Sequence, residues 1–228
     1  MSGVQAATAA PPPARQSYSI SDFDTIRLEA PVEVSIVTGK GVSATGTGDR
    51  DTLDALSLEI NSRTLVIRMR NRMAMGGSGG KARLPTRIAL TTGAVQRATL
   101  LGAGNLSIDS LKGARVNATL SGAGRLTVAR VEADRLDVGQ AGSGTLTLAG
   151  STLELVASMS GSGRLDAAAL DARRVRIDTE GSIDAQLAAR EEATATANGT
   201  GQIAIAGKPT CTVRKTGSAS ITCGAMTY

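Results

Sequence analysis

Four stretches decide the fold: LLGAGNLSI (residues 100–108), LSGAGRLTV (120–128), QAGSGTLTL (140–148) and MSGSGRLDA (159–167). Each contains a turn with a glycine on either side of one small residue, followed by a run in which polar and apolar residues alternate. If Gly181 and Gly201 mark the next two turns, the second glycines (104, 124, 144, 163, 181, 201) are separated by 20, 20, 19, 18 and 20 residues. A fixed period of this length predicts stacked repeats, because one such unit cannot bury its apolar face alone.

Apolar and polar residues alternate after each turn, which is typical of strands with one buried face. Leu126-Thr127-Val128 follows one turn, and a second run, Leu136-Asp137-Val138, begins ten residues after Leu126. The first runs align as Leu106 and Ile108, Leu126 and Val128, Leu146 and Leu148, Leu165 and Ala167, Ile183 and Ala185, and Ile203 and Ile205. We predict an all-β fold in which residues 99–228 form a parallel β-solenoid of roughly 18- to 20-residue coils, stacked about 4.8 Å apart.

The glycines of the turns are interpreted as structural corners. A residue without Cβ is favoured where φ is positive or where successive coils approach closely. These glycines are Gly102, Gly104, Gly122, Gly124, Gly142, Gly144, Gly161, Gly163, Gly181, Gly199 and Gly201. The run Gly76-Gly77-Ser78-Gly79-Gly80 matches the pattern of a nucleophile elbow, but the chain has no histidine to activate the serine.

The chain before the repeats has strand patterns but no period. Every second residue from Ile26 to Ile36 is apolar, and Pro31 within this run indicates an edge or a bulge. Shorter runs follow at 56–60, 65–69, 88–90 and 95–100. We predict one domain over residues 18–228, in which the β-rich region 18–98 begins the solenoid and covers its open end. Residues 1–17, rich in Ala and Pro, are predicted to be a disordered segment.

The composition excludes several classes of function. The chain has no His and no Trp, and its only aromatic residues are Tyr18, Phe23 and Tyr228. A Ser-His-Asp triad and a His-ligated metal are therefore excluded, and we predict no catalytic residue, no cofactor and no metal site. No apolar stretch is long enough for a spanning helix. No nucleic-acid partner is expected, since recognition motifs and stacking aromatics are both missing.

The positive charge is concentrated in one region. The net charge is +5, and eight basic residues but no acidic residue lie between Ile60 and Ile108. Within this region, the residues predicted to contact anions, in and beside a Gly-rich loop, are Arg68, Arg70, Arg72, Lys81, Arg83 and Arg87. Such a region favours anionic envelope polysaccharide, lipid head groups or another envelope protein as partners. The alternative is a set of solvated arginines flanking strands.

Several of these segments together resemble the GIN domain, the head domain of a family of bacterial envelope proteins described as auto-transporter adhesins. The segments that carry the resemblance are Phe23–Leu28, Val32–Ile36 with Gly39, Leu65–Ile67 before the basic loop, and the Gly-Ser/Ala-Gly repeats ending in Gly217-Ser218. The resemblance implies a right-handed parallel β-helix and an exported protein, located in the periplasm, on the cell surface or outside the cell. It implies no catalytic site. The N-terminal residues lack the apolar core of a signal peptide.

The two cysteines fit no zinc pattern, which leaves a disulfide or two buried thiols. When Ile221 is aligned with Ile203, Cys223 falls at an inward position in the last coil. Cys211 falls at the inward position that corresponds to Ala193. We predict a Cys211–Cys223 disulfide, which would favour an exported location; the alternative is two small apolar residues in a reducing compartment.

We predict that the protein is a non-enzymatic, adhesin-like binding module of the cell envelope that acts through the solenoid surfaces and the basic Gly-rich loop. Two further hypotheses accompany this one. The first is a carbohydrate-active β-helix enzyme, a lyase or a hydrolase, for which Asp109, Asp166 and Asp184 share an outward repeat position. Asp166 and Asp184 would then lie about 5 Å apart on adjacent coils. The lack of aromatic platforms for sugars counts against an enzyme. The second is an envelope scaffold or signalling-associated protein, since stacked repeats present flat binding faces.

Overall fold

The alternating runs form stacked strands in the computed structural model, which describes residues 13–70 and 85–227. Strand accounts for 76% of the structure and helix for 3%, in a β-solenoid of about six turns. Equivalent residues of successive coils lie side by side in parallel register, as in Leu106–Leu126, Leu126–Leu146 and Leu146–Leu165. The predicted all-β solenoid is confirmed.

Sixteen strands and one short helix are assigned in the described part of the chain. In chain order they are β1 (Ala14–Ser17), β2 (Thr25–Leu28), β3 (Glu33–Thr38), β4 (Ser43–Gly48), α1 (Arg50–Ala55), β5 (Leu56–Asn61), β6 (Thr64–Met69), β7 (Arg87–Thr92), β8 (Arg97–Gly102), β9 (Asn105–Ile108), β10 (Leu111–Gly122), β11 (Arg125–Gly142), β12 (Thr145–Gly161), β13 (Arg164–Gly207), β14 (Thr210–Gly217), β15 (Ser220–Cys223) and β16 (Met226–Thr227). Strands β10 to β13 bend around corners, so each of them contributes to more than one side of the solenoid.

The strands form two broad faces and one short side. Face A consists of β6, β2, β8, stretches of β10 to β13, and β14. Face B consists of β7, β3, β9, stretches of β11 to β13, and β15. Side C begins at Leu111 and its register partners Val131, Gly150 and Leu170. The glycine turns join face A to face B, and side C leads back to face A.

The core is one apolar cluster formed by the inward-facing residues of all three sides. On face A, for example, Val116, Leu136, Leu155 and Val175 stack in register, and none is more than 3% exposed. Burying an aliphatic side chain of this size stabilises the fold by about 1.5–3 kcal/mol. The aliphatic ladders therefore hold the coils together with hardly any aromatic residue.

The spatial order of the strands differs from the chain order at the N-terminal end. Strands β6 and β7 stack on the outer side of β2 and β3, whose other edges pair with β8 and β9. The chain therefore builds its second coil before its outermost one. Strands β5 and β4 then pair antiparallel with β6 and β7, and β1 pairs antiparallel with β4. These antiparallel strands cover the parallel edges at this end.

Part of the segment predicted to be disordered is a strand. The prediction for residues 1–17 is wrong over Ala14–Ser17, which pairs antiparallel with Thr45–Gly48. Backbone hydrogen bonding to the edge of β4 orders this stretch even though its composition is not typical of a strand. Residues 1–12 lie outside the described residues.

Helix α1 was not predicted from the sequence. Asp49 caps this helix, because its Oδ1 accepts a hydrogen bond of 3.0 Å from the backbone N–H of Thr52. Leu53 is the buried residue of this helix. An aspartate at the N-cap is the signal that was available in the sequence, but six residues are too few for a helical period to emerge.

The register of the fifth turn differs from the prediction. Each earlier turn has two glycines, such as Gly161 and Gly163. Gly181 lies beside Gly161, so it is the first glycine of its turn and not, as predicted, the second one. The backbone N–H of Asp184 donates to the carbonyl of Gly163, just as that of Arg164 donates to Gly144. Ile183 therefore takes the place of the second glycine, and the alignment of Ile183 with Leu165 is wrong by two residues. A two-residue shift keeps the alternation of inward and outward residues.

Candidate functional site

Two of the predicted anion-contact residues form exposed ion pairs. Arg68 Nη2 donates to both carboxylate oxygens of Glu59, at 3.0 and 2.8 Å, and Arg87 Nε donates to Glu33 at 2.7 Å. The two arginine side chains are 50% and 67% exposed. Exposed pairs of this kind contribute less than about 1 kcal/mol. Either arginine can therefore exchange its partner for an anionic ligand.

The other members of this set lie next to or within the segment 71–84. Arg70 is the last described residue before it, and its side chain has no ion-pair partner among the described residues. Its backbone N–H donates to the carbonyl of Ala55 at 2.8 Å, which fixes where the segment leaves β6. Arg72, Lys81 and Arg83 lie outside the described residues, so their predicted role stays a prediction.

A charged cluster at the segment that leads into β2 has a structural role. Arg63 donates to Asp24 at 2.7 Å and to Asp22 at 3.2 Å, and Asp22 also accepts from the hydroxyl of Thr92 at 3.0 Å. The hydrogen bond from Arg63 holds the pKa of Asp24 below its usual range. The hydrogen bond from Thr92 does the same for the pKa of Asp22. Through these hydrogen bonds, the cluster connects the turn between β5 and β6 and the end of β7 to the segment that precedes β2.

This cluster makes stability depend on pH. The folded pKa values of the two aspartates are depressed, so their stabilisation is complete above the unfolded value of about 3.9 and is lost as the pH falls through the folded values. We expect Arg63→Gln to lower the melting temperature at pH 7, and we expect the difference from the parent to shrink as the pH falls below about 4. Thermal melts from pH 7 to pH 2 measure this. A difference that stays constant over the whole range would contradict it.

The acidic line proposed for an enzyme does not form. Asp109 accepts hydrogen bonds of 2.9 and 3.0 Å from the backbone N–H of Thr38, and Asp166 accepts one from the N–H of Ala168. Because of the register shift, Asp184 takes the place that corresponds to Arg164, with which it pairs at 3.4 Å. The prediction that the three aspartates share one repeat position is therefore wrong.

Side C carries a shallow groove of about 550 Å³. Its lining includes Gly113, Ala133 and Leu153, and Leu153 is 49% exposed. Ion pairs link neighbouring coils around it: Lys112 with Glu132 at 3.1 Å, Arg173 with Glu191 at 2.7 Å, and Arg190 with Asp171. The hydrogen bond from Lys112 lowers the pKa of Glu132. The groove is thus a small apolar surface surrounded by charged side chains that are paired with one another.

Face B carries a second cleft, of about 350 Å³, close to where β7 begins. It is lined by the Arg87–Glu33 pair, by Asn105 and Ser107, and by Arg125. No ion-pair partner of Arg125 is present among residues 13–70 and 85–227. Sequence reasoning missed this site, because Arg125 lies outside the basic region and meets Arg87 only through the lateral stacking of four strands.

The described ranges contain neither a metal-binding cluster nor a membrane-spanning helix. Within them, no group of three or more His, Cys, Asp or Glu side chains is placed to hold a metal ion. No helix in the described part of the chain is long and apolar enough to cross a membrane. Cys211 and Cys223 form the predicted disulfide, which joins β14 to β15.

Comparison with known proteins gives a family and a set of similar folds. The family model for "Putative auto-transporter adhesin, head GIN domain" matches residues 22–209. A solved "putative adhesin" from Bacteroides fragilis is 19% identical, with a TM-score of 0.82 over 93% of this chain and 97% of that chain. A "putative adhesin" from Parabacteroides merdae is 19% identical, with a TM-score of 0.70 over 92% and 95%.

A solved "putative lipid binding protein" from Parabacteroides distasonis is 20% identical, with a TM-score of 0.69 over 92% of this chain and 96% of that chain. At these identities the likeness to the three structures shows the fold alone. A search of curated proteins finds no match.

Proposed function

The chain belongs to the family of auto-transporter adhesin head GIN domains, whose model covers residues 22–209, and we propose that it is a non-enzymatic binding module of the bacterial cell envelope. It acts by surface contact through its solenoid faces and through the basic Gly-rich loop between β6 and β7. Its partners are anionic components of the envelope, either polysaccharide or lipid head groups. The protein is exported.

The observation that carries this proposal is the exposed positive charge where the loop leaves β6 and rejoins the solenoid at β7. Arg70 precedes the loop without an ion-pair partner among the described residues, and Arg68 and Arg87 are held only by exposed pairs. The loop itself adds Arg72, Lys81 and Arg83 to the sequence between them and contains no acid. Such a surface attracts anions at long range and exchanges ions at little cost.

The electrostatics of the carboxyl groups also favour binding over catalysis. A glycosidase needs a general acid whose pKa is raised, and a lyase needs a base that abstracts a proton. The carboxyls with displaced pKa values in the described part of the chain are Asp22, Asp24, Glu59 and Glu132, and each is lowered by hydrogen bonds to its ionised form. These groups stay ionised and serve as acceptors in surface networks.

The disulfide supports an exported location. Disulfides form and persist in oxidising compartments such as the periplasm and the cell exterior, and they are rare in the cytosol. The Cys211–Cys223 pair links two strands of the last coil, where a covalent link is most useful to a stack of repeats.

The loop is tested by neutralising its charge. We expect the variant Arg70→Gln, Arg72→Gln, Lys81→Gln and Arg83→Gln to lose about tenfold or more of its binding to isolated bacterial envelopes and to a purified anionic polysaccharide at low salt. The matched control neutralises Arg115, Arg130, Arg173 and Arg176, which changes the net charge equally on other surfaces. These control side chains are 72%, 68%, 56% and 63% exposed.

Pull-down and biolayer interferometry at low and at moderate salt measure this effect. Equal loss in both variants would mean that net charge alone drives binding, and equal retention would remove the loop from the proposal. Binding to anionic phospholipid vesicles but not to polysaccharide would identify lipid head groups as the partner. No binding of the parent to any anionic surface would overturn the proposed function.

A further inference from the structure

Arginines recur along one outward column of face B. Six strands place their first outward residue side by side there, in register: Arg87, Glu33, Asn105, Arg125, Thr145 and Arg164. At about 4.8 Å per strand, Arg87 and Arg125 are separated by roughly 14 Å of backbone, and Arg125 and Arg164 by roughly 10 Å. We call this set the arginine column.

A column of hydroxyl groups runs directly beside it. The next outward positions are Ser35, Ser107, Thr127 and Thr147 on four consecutive strands, and Asp166 follows them on the strand of Arg164. Each hydroxyl can both donate and accept a hydrogen bond. The two columns together form a flat strip parallel to the solenoid axis. Three guanidinium groups and Glu33 lie along one side, and the hydroxyls lie along the other side, which ends at Asp166.

The charges of the strip are available to a ligand. Arg125 has no ion-pair partner within the described ranges. Arg164 reaches Asp184 at 3.4 Å, and the two side chains are 65% and 53% exposed. Arg87 and Arg125 line the same cleft of about 350 Å³ together with Asn105 and Ser107. The cleft supplies concave shape at one end of the strip, and the sheet keeps the spacing fixed.

We propose that this strip binds an extended polysaccharide that carries carboxylate groups, with the sugar chain running along the solenoid axis. The inference rests on the proposed function and names the surface and the chemical class of the ligand. A guanidinium matches a carboxylate with two parallel hydrogen bonds. The serine and threonine hydroxyls bind the sugar hydroxyls between successive carboxylates, since an extended sugar unit is about as long as one strand spacing.

The chemistry of the strip predicts how binding responds to conditions. The strip contains no aromatic residue, so it offers no stacking platform for sugar rings. Charge-assisted hydrogen bonds at an exposed surface then dominate, and these weaken as salt screens them. Each contact is weak, so affinity grows with the number of carboxylates that engage at once.

The test uses polygalacturonate oligomers, with fully methyl-esterified oligomers of the same length as the uncharged probe. We expect Arg125→Gln with Arg164→Gln to weaken binding to the acidic oligomer about tenfold at low salt, because two exposed charge contacts are lost. The matched control is Arg176→Gln with Arg214→Gln on face A. Arg176, like Arg164, pairs with a neighbouring acid, and Arg214, like Arg125, has no ion-pair partner among the described residues.

A second pair of variants isolates the hydroxyl column. We expect Thr127→Val with Thr147→Val, which keeps the β-branched shape, to weaken binding about threefold at any salt concentration, because hydrogen bonds between neutral groups are lost. The matched control is Thr99→Val with Thr119→Val, on adjacent strands of face A. Isothermal titration calorimetry measures all four variants, and circular dichroism checks that each is folded.

The outcomes separate this inference from the proposed function. Weaker binding of the acidic oligomer by both strip variants, but not by their controls, supports the strip as the binding surface. Loss only when the loop residues Arg70, Arg72, Lys81 and Arg83 are neutralised overturns the strip and keeps the proposed function. Equal loss in strip and control variants, or binding to the methyl-esterified probe at the same affinity, also overturns the strip. A parent that binds anionic phospholipid vesicles but no acidic oligomer overturns the ligand class.

Discussion

Replacing Gly142 with alanine is expected to destabilise the solenoid by about 3–5 kcal/mol. The φ angle of Gly142 is +112°, a conformation that costs a residue with a Cβ about 1–3 kcal/mol. A Cβ there would also lie 2.6 Å from the carbonyl oxygen of Gly122 and 3.1 Å from its carbonyl carbon. Both contacts are to the backbone of the preceding coil, which is held by strand pairing on both faces and cannot move aside cheaply.

Two matched substitutions separate the two causes. Gly102 has a φ of +97° but nothing within 4 Å of its Cβ position, so Gly102→Ala carries the backbone strain without the collision. Gly93 has no positive φ, and its nearest neighbour is Asp22 Oδ1 at 3.8 Å. We expect losses of about 1–2 kcal/mol for Gly102→Ala and close to none for Gly93→Ala.

Urea unfolding of the three variants and the parent measures the series. The inner coils do not unfold independently, because each of their turns stacks on the turn before it and shares its core ladders. The destabilisation from Gly142→Ala should therefore appear in the main transition and not as a separate early one. If Gly102→Ala were as severe as Gly142→Ala, close stacking of the coils would not be the reason for glycine at this corner.

The repeat period predicts the pairing of coils but cannot detect a shift by two residues. The stacking of Ile203 on Ile221 and of Ile205 on Cys223 is as predicted, since turns of constant length precede them. The predicted positions of Ile183 and Asp184 are wrong because Ile183 replaces the second glycine of its turn. Gly181 was then aligned with Gly163, two residues away from its true partner Gly161. Alternation has a period of two, so every inward residue still appeared inward after the error.

The N-terminal half was less predictable, because its strands are paired by topology and not by a repeat. Nothing in Leu65–Ile67 or Ile88–Leu90 indicates that these runs stack outside β2 and β3 and not after them. The strip on face B was hidden for a related reason. Arg87, Arg125 and Arg164 are far apart in sequence, and only the lateral register brings their outward side chains into one column.

The last coil is expected to depend on its disulfide. On face A its inward positions are Cys211 and Val213, both half-buried, and Lys215, which is exposed opposite the buried Ala197. This coil therefore buries little apolar surface, and within the described residues β14 pairs only with β13. A charged lysine at this register position of an edge strand also discourages another chain from stacking there. The Cys211–Cys223 link then provides a large part of the order that packing does not.

Replacing both cysteines with alanine is expected to lower the free energy of opening of β14 to β16 by about 3 kcal/mol, from the loop-closure entropy of a short covalent loop. Amide hydrogen exchange in these strands should become about 100-fold faster, while β8 to β12 change little. Reducing the parent should reproduce this pattern, and reductant should leave the double variant unchanged. If protection fell equally along the whole chain, the disulfide would be stabilising the entire stack, and the last coil would not be an independently fraying unit.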